Sequence, residues 1–408
     1  MRKKLTTFYH NYDTAIWIRV IGTILTSLTN FMVRPFLVLY LYDKLNSSLL
    51  LPMIIIGLQP LCGLLVNLFA GNISDRFGRK PVLIVSLLIQ TVTLSGYIFA
   101  ESVWEYAVIS ILNGIGAALF MPAANAQIAD VVPENKRAEV FALLHTALNV
   151  GSAGGPLIGV VLFAWSSRIV FLICALSVLA YLILVWIKVP ETLPASSRSA
   201  APETGRAKAA FRPGEHKAIY TLTVLALPVS LLYAQVESTL PLHLQTHFLD
   251  FKTVYAAMLT FNGLTVILLQ LWLAKRTEGL PPYHVVAAAY GMFSLVALGY
   301  GFSPYVILLF AVEFLFTIGE MLFGPHIQKV IARIAPVEQR GQYFSIYGMN
   351  WQIGRAIGPV AGGWMLEKAN GEVMFFVFAL LLMASGILQV IQVRSLYGRA
   401  ARALEKAV

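Results

Sequence analysis

The feature that most constrains this chain is a series of twelve apolar runs, each long enough to cross a bilayer and separated by polar joints. They fall at 15-42, 49-71, 81-100, 104-129, 138-164 and 168-188, then at 218-246, 252-273, 284-302, 304-328, 341-365 and 371-393. About 20 helical residues span the hydrocarbon core, and only a structure that satisfies its own backbone hydrogen bonds can sit there. The runs therefore predict an all-α polytopic membrane protein with 12 transmembrane helices. At 58% apolar and 12% charged residues, the chain cannot cover the surface of a water-soluble domain.

The placement of charge predicts orientation. Of the 30 Lys and Arg residues, 23 fall in one alternate set of joints and tails. Lys44, Arg168, Lys252 and Lys368 fall in the other set, and three lie inside spans. Cations concentrate on the cytoplasmic side, so a multi-pass protein of the cell (cytoplasmic) membrane with both termini inside is expected. The net charge of +10 is thus used up in topology, and no nucleic-acid partner is expected. Arg2-Lys3-Lys4 precedes an apolar run too long for a signal peptide, so that run is expected to be a retained first helix. Cys62 and Cys174 lie in separate spans and imply neither a disulfide framework nor a metal site. No cofactor is expected, and the absence of a P-loop removes ATP hydrolysis as the energy source.

The polar stretch 191-217 is rich in Ala, Pro, Ser, Gly and Arg, which predicts a cytoplasmic linker. It divides an N-terminal bundle at 1-190 from a C-terminal one at 218-393. At 394-408 follows a basic tail with Leu396, Ala400, Ala403, Leu404 and Ala407 at helical spacing. The halves repeat with an offset of 203 residues, which carries Gly116 to Gly319, Phe120 to Phe323, Pro122 to Pro325 and Arg137 to Arg340. It also carries Phe141 to Phe344, Gly151 to Gly354 and Pro156 to Pro359. Six spans per half give both copies the same orientation, so the two six-helix bundles should be related by a pseudo-twofold axis along the membrane normal.

Between spans 2 and 3 lies Gly71-Asn72-Ile73-Ser74-Asp75-Arg76-Phe77-Gly78-Arg79-Lys80-Pro81, expected to be a charged turn. Gly71 and Gly78 permit close approach and positive φ. Asp75 can accept from N–H groups at a helix start, and Arg76, Arg79 and Lys80 hold the joint inside. Asp130, at the end of span 4, is the natural partner of Arg79. A second pattern, Gly151-Ser152-Ala153-Gly154-Gly155-Pro156-Leu157-Ile158-Gly159, places small residues four apart around a proline. Gly151, Gly155 and Gly159 would let helix backbones touch, and Pro156 would bend the helix.

The first pattern, G-x-x-x-D-R-x-G-R-K, resembles the signature loop of the major facilitator superfamily of secondary transporters. The second resembles the helix-5 motif of that superfamily's antiporters. Together they resemble the twelve-helix drug:proton antiporters, including bacterial multidrug efflux proteins. The resemblance implies the major facilitator fold, a substrate path lined by spans 1, 4, 7 and 10, and an inner latch made by residues 71-80. It also implies a mostly monomeric protein. Asn113-Gly114 fits a further helix-4 motif, with Ser110 standing where that group usually carries an arginine.

Charges inside spans are costly and mark function. Away from the span ends these are Arg34, Glu237, Glu313, Glu320 and Arg355. Arg34 and Glu237 are repeat mates, so the symmetry predicts that they face each other and pair. Glu313 and Glu320 share one helix face at about 10 Å separation. Arg355 would either neutralise Glu320 or stabilise packing. Three acids against two guanidiniums leave one acid to exchange a proton near neutral pH, and Glu313 or Glu320 is expected to carry it. Asn113 is a further candidate for the path. The expected activity is proton-coupled efflux of small amphipathic or lipophilic compounds by alternating access, with a small-molecule substrate, protons and the lipid bilayer as partners. Lipid or lysolipid flipping, metabolite symport with protons and transporter-like sensing are the alternatives. No catalytic constellation appears, so an enzyme is not expected.

Overall fold

A computed structural model of the chain describes residues 14–45, 49–193, 216–336 and 339–405. Within these, the side chains at 68–72, 75, 129, 134–139, 141–142, 340–341 and 398–405 lie outside the description. Residues 194–215 of the expected linker, Arg2-Lys3-Lys4, and the side chains of Gly71 and Asp75 are therefore not described.

Among the described residues, twelve long helices follow one another. The first six are α1 (Thr14–Leu45), α2 (Leu50–Phe77), α3 (Arg79–Phe99), α4 (Val103–Val131), α5 (Glu134–Trp165) and α6 (Ser167–Lys188). The second six are α7 (Lys217–Glu237), α8 (Phe251–Thr277), α9 (Pro282–Phe302), α10 (Val306–Ile334), α11 (Arg340–Lys368) and α12 (Gly371–Glu405). Eleven of them are long and apolar enough to cross a membrane. The exception, α11, spans 29 residues but carries Asn350, Gln352 and Arg355 along its length. Internal prolines at Pro122 and Pro325, and at Pro156 and Pro359, occupy matching positions in the two halves.

Three joints differ from the sequence expectation. The charged turn at 71-81 is mostly helix: α2 continues to Phe77, and only Gly78 leaves the helical region, at φ 101° and ψ 157°. Charged residues on a helix that emerges from the apolar layer are solvated, so nothing forces the chain to unwind before Gly78. Span 7 breaks after Glu237 and resumes as a short helix, Leu240–Gln245. Pro241 explains the break, because it has no N–H to give to the Glu237 carbonyl four residues earlier. The tail is no separate element: α12 runs unbroken from Gly371 to Glu405. Its C-terminal part is held by Arg333 over the Tyr397 ring at 4.1 Å and Arg394 over Tyr283 at 6.0 Å.

The chain divides into two units, residues 1–46 with 58–207, and 47–57 with 208–408. In the first, α1 packs along α5, and α3 packs along α4 and α6. In the second, α7 packs along α11, and α9 packs along α10 and α12. The glycines make these crossings close. A Cβ on Gly155 would lie 2.6 Å from the Phe31 Cβ, and one on Gly159 2.7 Å from the Met32 carbonyl oxygen. Gly151 faces Ser27 in the same way, and its repeat mate Gly354 would put a Cβ 2.6 Å from that of Ser230. Gly358 meets Ala234 at 2.5 Å. Each glycine thus touches the residue that the offset of 203 carries over, so the repeat holds at the level of individual contacts.

Candidate functional site

The second unit holds a buried polar cluster between α7, α8, α9 and α10. Glu313 on α10 is only 1% exposed. The Tyr300 hydroxyl on α9 donates to its Oε2 at 2.6 Å, while Oε1 is buried with no hydrogen-bond partner. Glu313 makes no ion pair among the described residues. Two turns on, Glu320 accepts from Asn262 Nδ2 at 3.2 Å and from the Tyr233 hydroxyl. Asn262 also donates to Thr317 Oγ1 at 2.9 Å, and the Thr317 hydroxyl donates back to the Glu313 carbonyl at 2.8 Å. Tyr233 fixes the aromatic wall, with Phe316 at 4.7 Å and Trp351 at 4.9 Å between ring centroids.

Glu237 and Arg355 form a separate pair. Arg355 Nη2 lies 2.7 Å from Glu237 Oε1, with side chains 22% and 26% exposed. The guanidinium also lies 4.7 Å above the Trp351 ring. Here Arg355 neither stands opposite Glu320 nor serves packing alone: it bonds the acid at the end of α7, where the Pro241 break leaves Glu237 at the helix terminus. Sequence reasoning alone does not reach this pairing.

The first unit carries a counterpart built of amides and hydroxyls beside one guanidinium. Arg34, Asn113, Gln59 and Tyr97 all line one cavity. Gln59 Nε2 donates to Asn113 Oδ1 at 2.9 Å, and Asn113 Nδ2 donates to Thr93 Oγ1 at 2.8 Å. Gly114 permits this, because any Cβ there would collide with the Gln59 carbonyl. Tyr97 and Ser110 share a hydrogen bond of 3.2 Å. Arg19, too near a span end to stand out in the sequence, is buried at 7% exposure. It donates to the Tyr181 hydroxyl at 3.2 Å and lies 4.6 Å above the Phe120 ring.

At the joint of α2 and α3, Arg79 Nε lies 3.5 Å from Asp130 Oδ2, and Nη1 donates to Ser74 Oγ at 2.9 Å. Arg76 stacks 5.5 Å from the Phe77 ring instead of joining them. The expectation for Asp75 lies outside the described residues, and among the described side chains Glu191 serves as a helix-start acceptor for α3. Its Oε1 accepts from Arg79 N at 3.0 Å and its Oε2 from Lys80 N at 3.2 Å. Glu191 also accepts from Thr192 N and Leu193 N, both at 2.9 Å, while the Thr192 hydroxyl donates to Asp130 at 2.8 Å. Composition assigns Glu191 to the linker. The signal that could have found it is an acid directly after Pro190, at the inner end of span 6.

The family model for the Major Facilitator Superfamily matches residues 20–319 and 238–401. A Bacillus subtilis protein described as the uncharacterized MFS-type transporter YhjO is 35% identical, over 94% of this chain and 95% of its own length. A Na(+), Li(+), K(+)/H(+) antiporter of Planococcus maritimus is 28% identical, covering 86% and 89%. The multidrug resistance protein MdtH of Klebsiella pneumoniae is 26% identical, covering 86% and 87%. Among solved structures, the peptide transporter POT in complex with sulfate superposes with a TM-score of 0.77 at 14% identity, over 95% and 96% of the two chains. At that identity the likeness concerns the fold, and the fold is the major facilitator one.

Proposed function

The chain belongs to the major facilitator superfamily of membrane transporters, and from that premise we propose that it exports small amphipathic compounds in exchange for protons, by alternating access. The observation that carries this reading is Glu313, which is buried, held by one tyrosine hydroxyl and bare at Oε1. A carboxylate in such a place has no cation to offset its charge, and taking up a proton removes the cost. Glu313 is therefore the proton carrier. Glu320, about 10 Å along the same face, is the second station, where Asn262 and Tyr233 donate to its carboxylate. Glu237 is already compensated by Arg355. Substrate and proton exchange because substrate occupancy and protonation of this cluster favour opposite states of the transporter, as fits a chain with antiporters among its relatives.

The protein works as a monomer in the cytoplasmic membrane; its termini lie inside, an orientation the cation asymmetry supports. The test is proton release from purified protein in weak buffer on adding amphipathic compounds of either charge sign. Release that is present in the wild type and lost in Glu313→Gln supports the reading. Binding without proton movement in any background overturns it in favour of a flippase or sensor. A second reading, exchange of an alkali cation for the proton, is favoured by the Planococcus relative and by the Glu320 carboxylate and Thr317 hydroxyl, which the Asn262 amide nitrogen holds side by side. Proton release on adding sodium or lithium chloride alone would select it.

A further inference from the structure

The cavity inside the first unit holds about 590 Å³ of empty space, its open mouth included. Its wall is chemically one-sided. Of the twelve side chains that line it, Arg34 alone is charged, four are amides and three are hydroxyls. The remaining four, Val33, Leu37, Leu94 and Val178, are aliphatic.

Several of the neutral polar groups are committed to partners in the protein. Asn113 is held from both ends by Gln59 and Thr93, Gln90 donates to Ser86 at 3.2 Å, and Tyr97 bonds Ser110. They are fixed dipoles around one cation. Asn30, four residues before Arg34 on α1, lies on the same helix face and lines the same cavity. A guanidinium presents five N–H donors in a rigid fork suited to paired oxygens, so Arg34 can hold a ligand's oxygens while keeping another contact. Among these twelve side chains a cationic ligand would meet one like charge and no carboxylate.

We infer that this cavity docks the anionic end of the substrate, a carboxylate on Arg34 with Asn30 beside it, and that the apolar body lies against Leu37, Leu94 and Val178. The inference rests on the exporter reading and narrows its substrates to amphipathic acids.

The experiment is calorimetric binding to the full-length chain in detergent, without any gradient, using three probes that share one ring system: 1-naphthoate, neutral 1-naphthamide and 1-naphthylmethylammonium. Naphthoate should bind at least about tenfold tighter than naphthamide, the scale of a charge-assisted hydrogen bond. Arg34→Gln should abolish that preference, and Arg34→Lys should restore part of it. Melting of the unliganded variants shows that both are folded. Equal binding of naphthoate and naphthamide in the wild type, preference for the ammonium, no binding of any probe, or a preference that survives Arg34→Gln would each overturn the site. Proton release read in the same samples keeps the two ideas apart. Arg34-dependent binding with no proton movement sinks only the coupling through Glu313. Proton release with no role for Arg34 sinks only the anion site.

Discussion

Tyr300 donates a 2.6 Å hydrogen bond to Glu313, and 203 positions earlier its repeat mate Tyr97 bonds Ser110 at 3.2 Å. The two tyrosines sit on the third helix of each unit and reach the fourth. One scaffold contact is therefore used twice, once with a neutral hydroxyl and once with an acid. The difference predicts unequal costs of removal. Tyr300→Phe should destabilise by about 1–3 kcal/mol, because it strips a buried carboxylate of its one donor. Tyr97→Phe should cost about 0.5–1.5 kcal/mol, as for a neutral pair. In a Glu313→Leu background the Tyr300→Phe penalty should fall below half. Thermal unfolding in detergent decides it, and equal penalties in both backgrounds would show that Tyr300 acts through packing alone.

Arg355 and Glu237 should behave as one unit. Breaking a buried pair from one side costs about 3–5 kcal/mol, and the partial exposure of both side chains reduces that to about 1–3 kcal/mol by solvent screening. Glu237→Gln and Arg355→Gln should each lower stability, with the double variant no worse than the more damaging single one. Additive losses would place the true partner of one residue elsewhere.

What the sequence made legible and what it hid follow different physics. A charge inside an apolar run is visible because the membrane penalises it, so Arg34, Glu237, Glu313, Glu320 and Arg355 all stand out. Which charge meets which is set by helix rotation and local breaks, and the symmetry that matches Arg34 with Glu237 does not rank Arg355. The Pro241 break and the crossing of α7 with α11 bring Glu237 to Arg355. Gly71 to Phe77 reads as a turn because charge and glycine punctuate it, yet α2 continues as helix to Phe77. Nearness to a span end hides Arg19 in the sequence, whereas Tyr181 and Phe120 bury it in the fold.

The glycine crossings make a symmetric prediction. A Cβ on Gly155 or Gly358 falls 2.6 Å or 2.5 Å from a neighbouring Cβ, closer than helices can tolerate without parting. Gly155→Leu and Gly358→Leu should each cost about 1–3 kcal/mol or more through overpacking, with a fall in the yield of folded protein. Gly291, with nothing within 4 Å of its would-be Cβ, is the control: Gly291→Ala should leave the melting temperature unchanged or raised, since alanine favours helix by about 1 kcal/mol.

Glu191 yields the sharpest test of the inner joint. Its carboxylate caps the start of α3 through Arg79 N and Lys80 N, immediately after the positive-φ residue Gly78. A negative group there satisfies orphan N–H donors and meets the positive end of the helix dipole. Asp130 contacts the same arginine at 3.5 Å but is more exposed, and exposed pairs contribute at most about 1 kcal/mol. Glu191→Ala should therefore cost about 0.5–2 kcal/mol, the range for a lost helix cap, and Asp130→Ala less. Gly78→Ala, forced into a region open essentially to glycine, should cost about 1–3 kcal/mol. Chemical denaturation of the three variants in detergent gives the ranking. If Asp130→Ala proves the more damaging of the two acidic changes, the joint is held by the salt bridge and the cap is incidental.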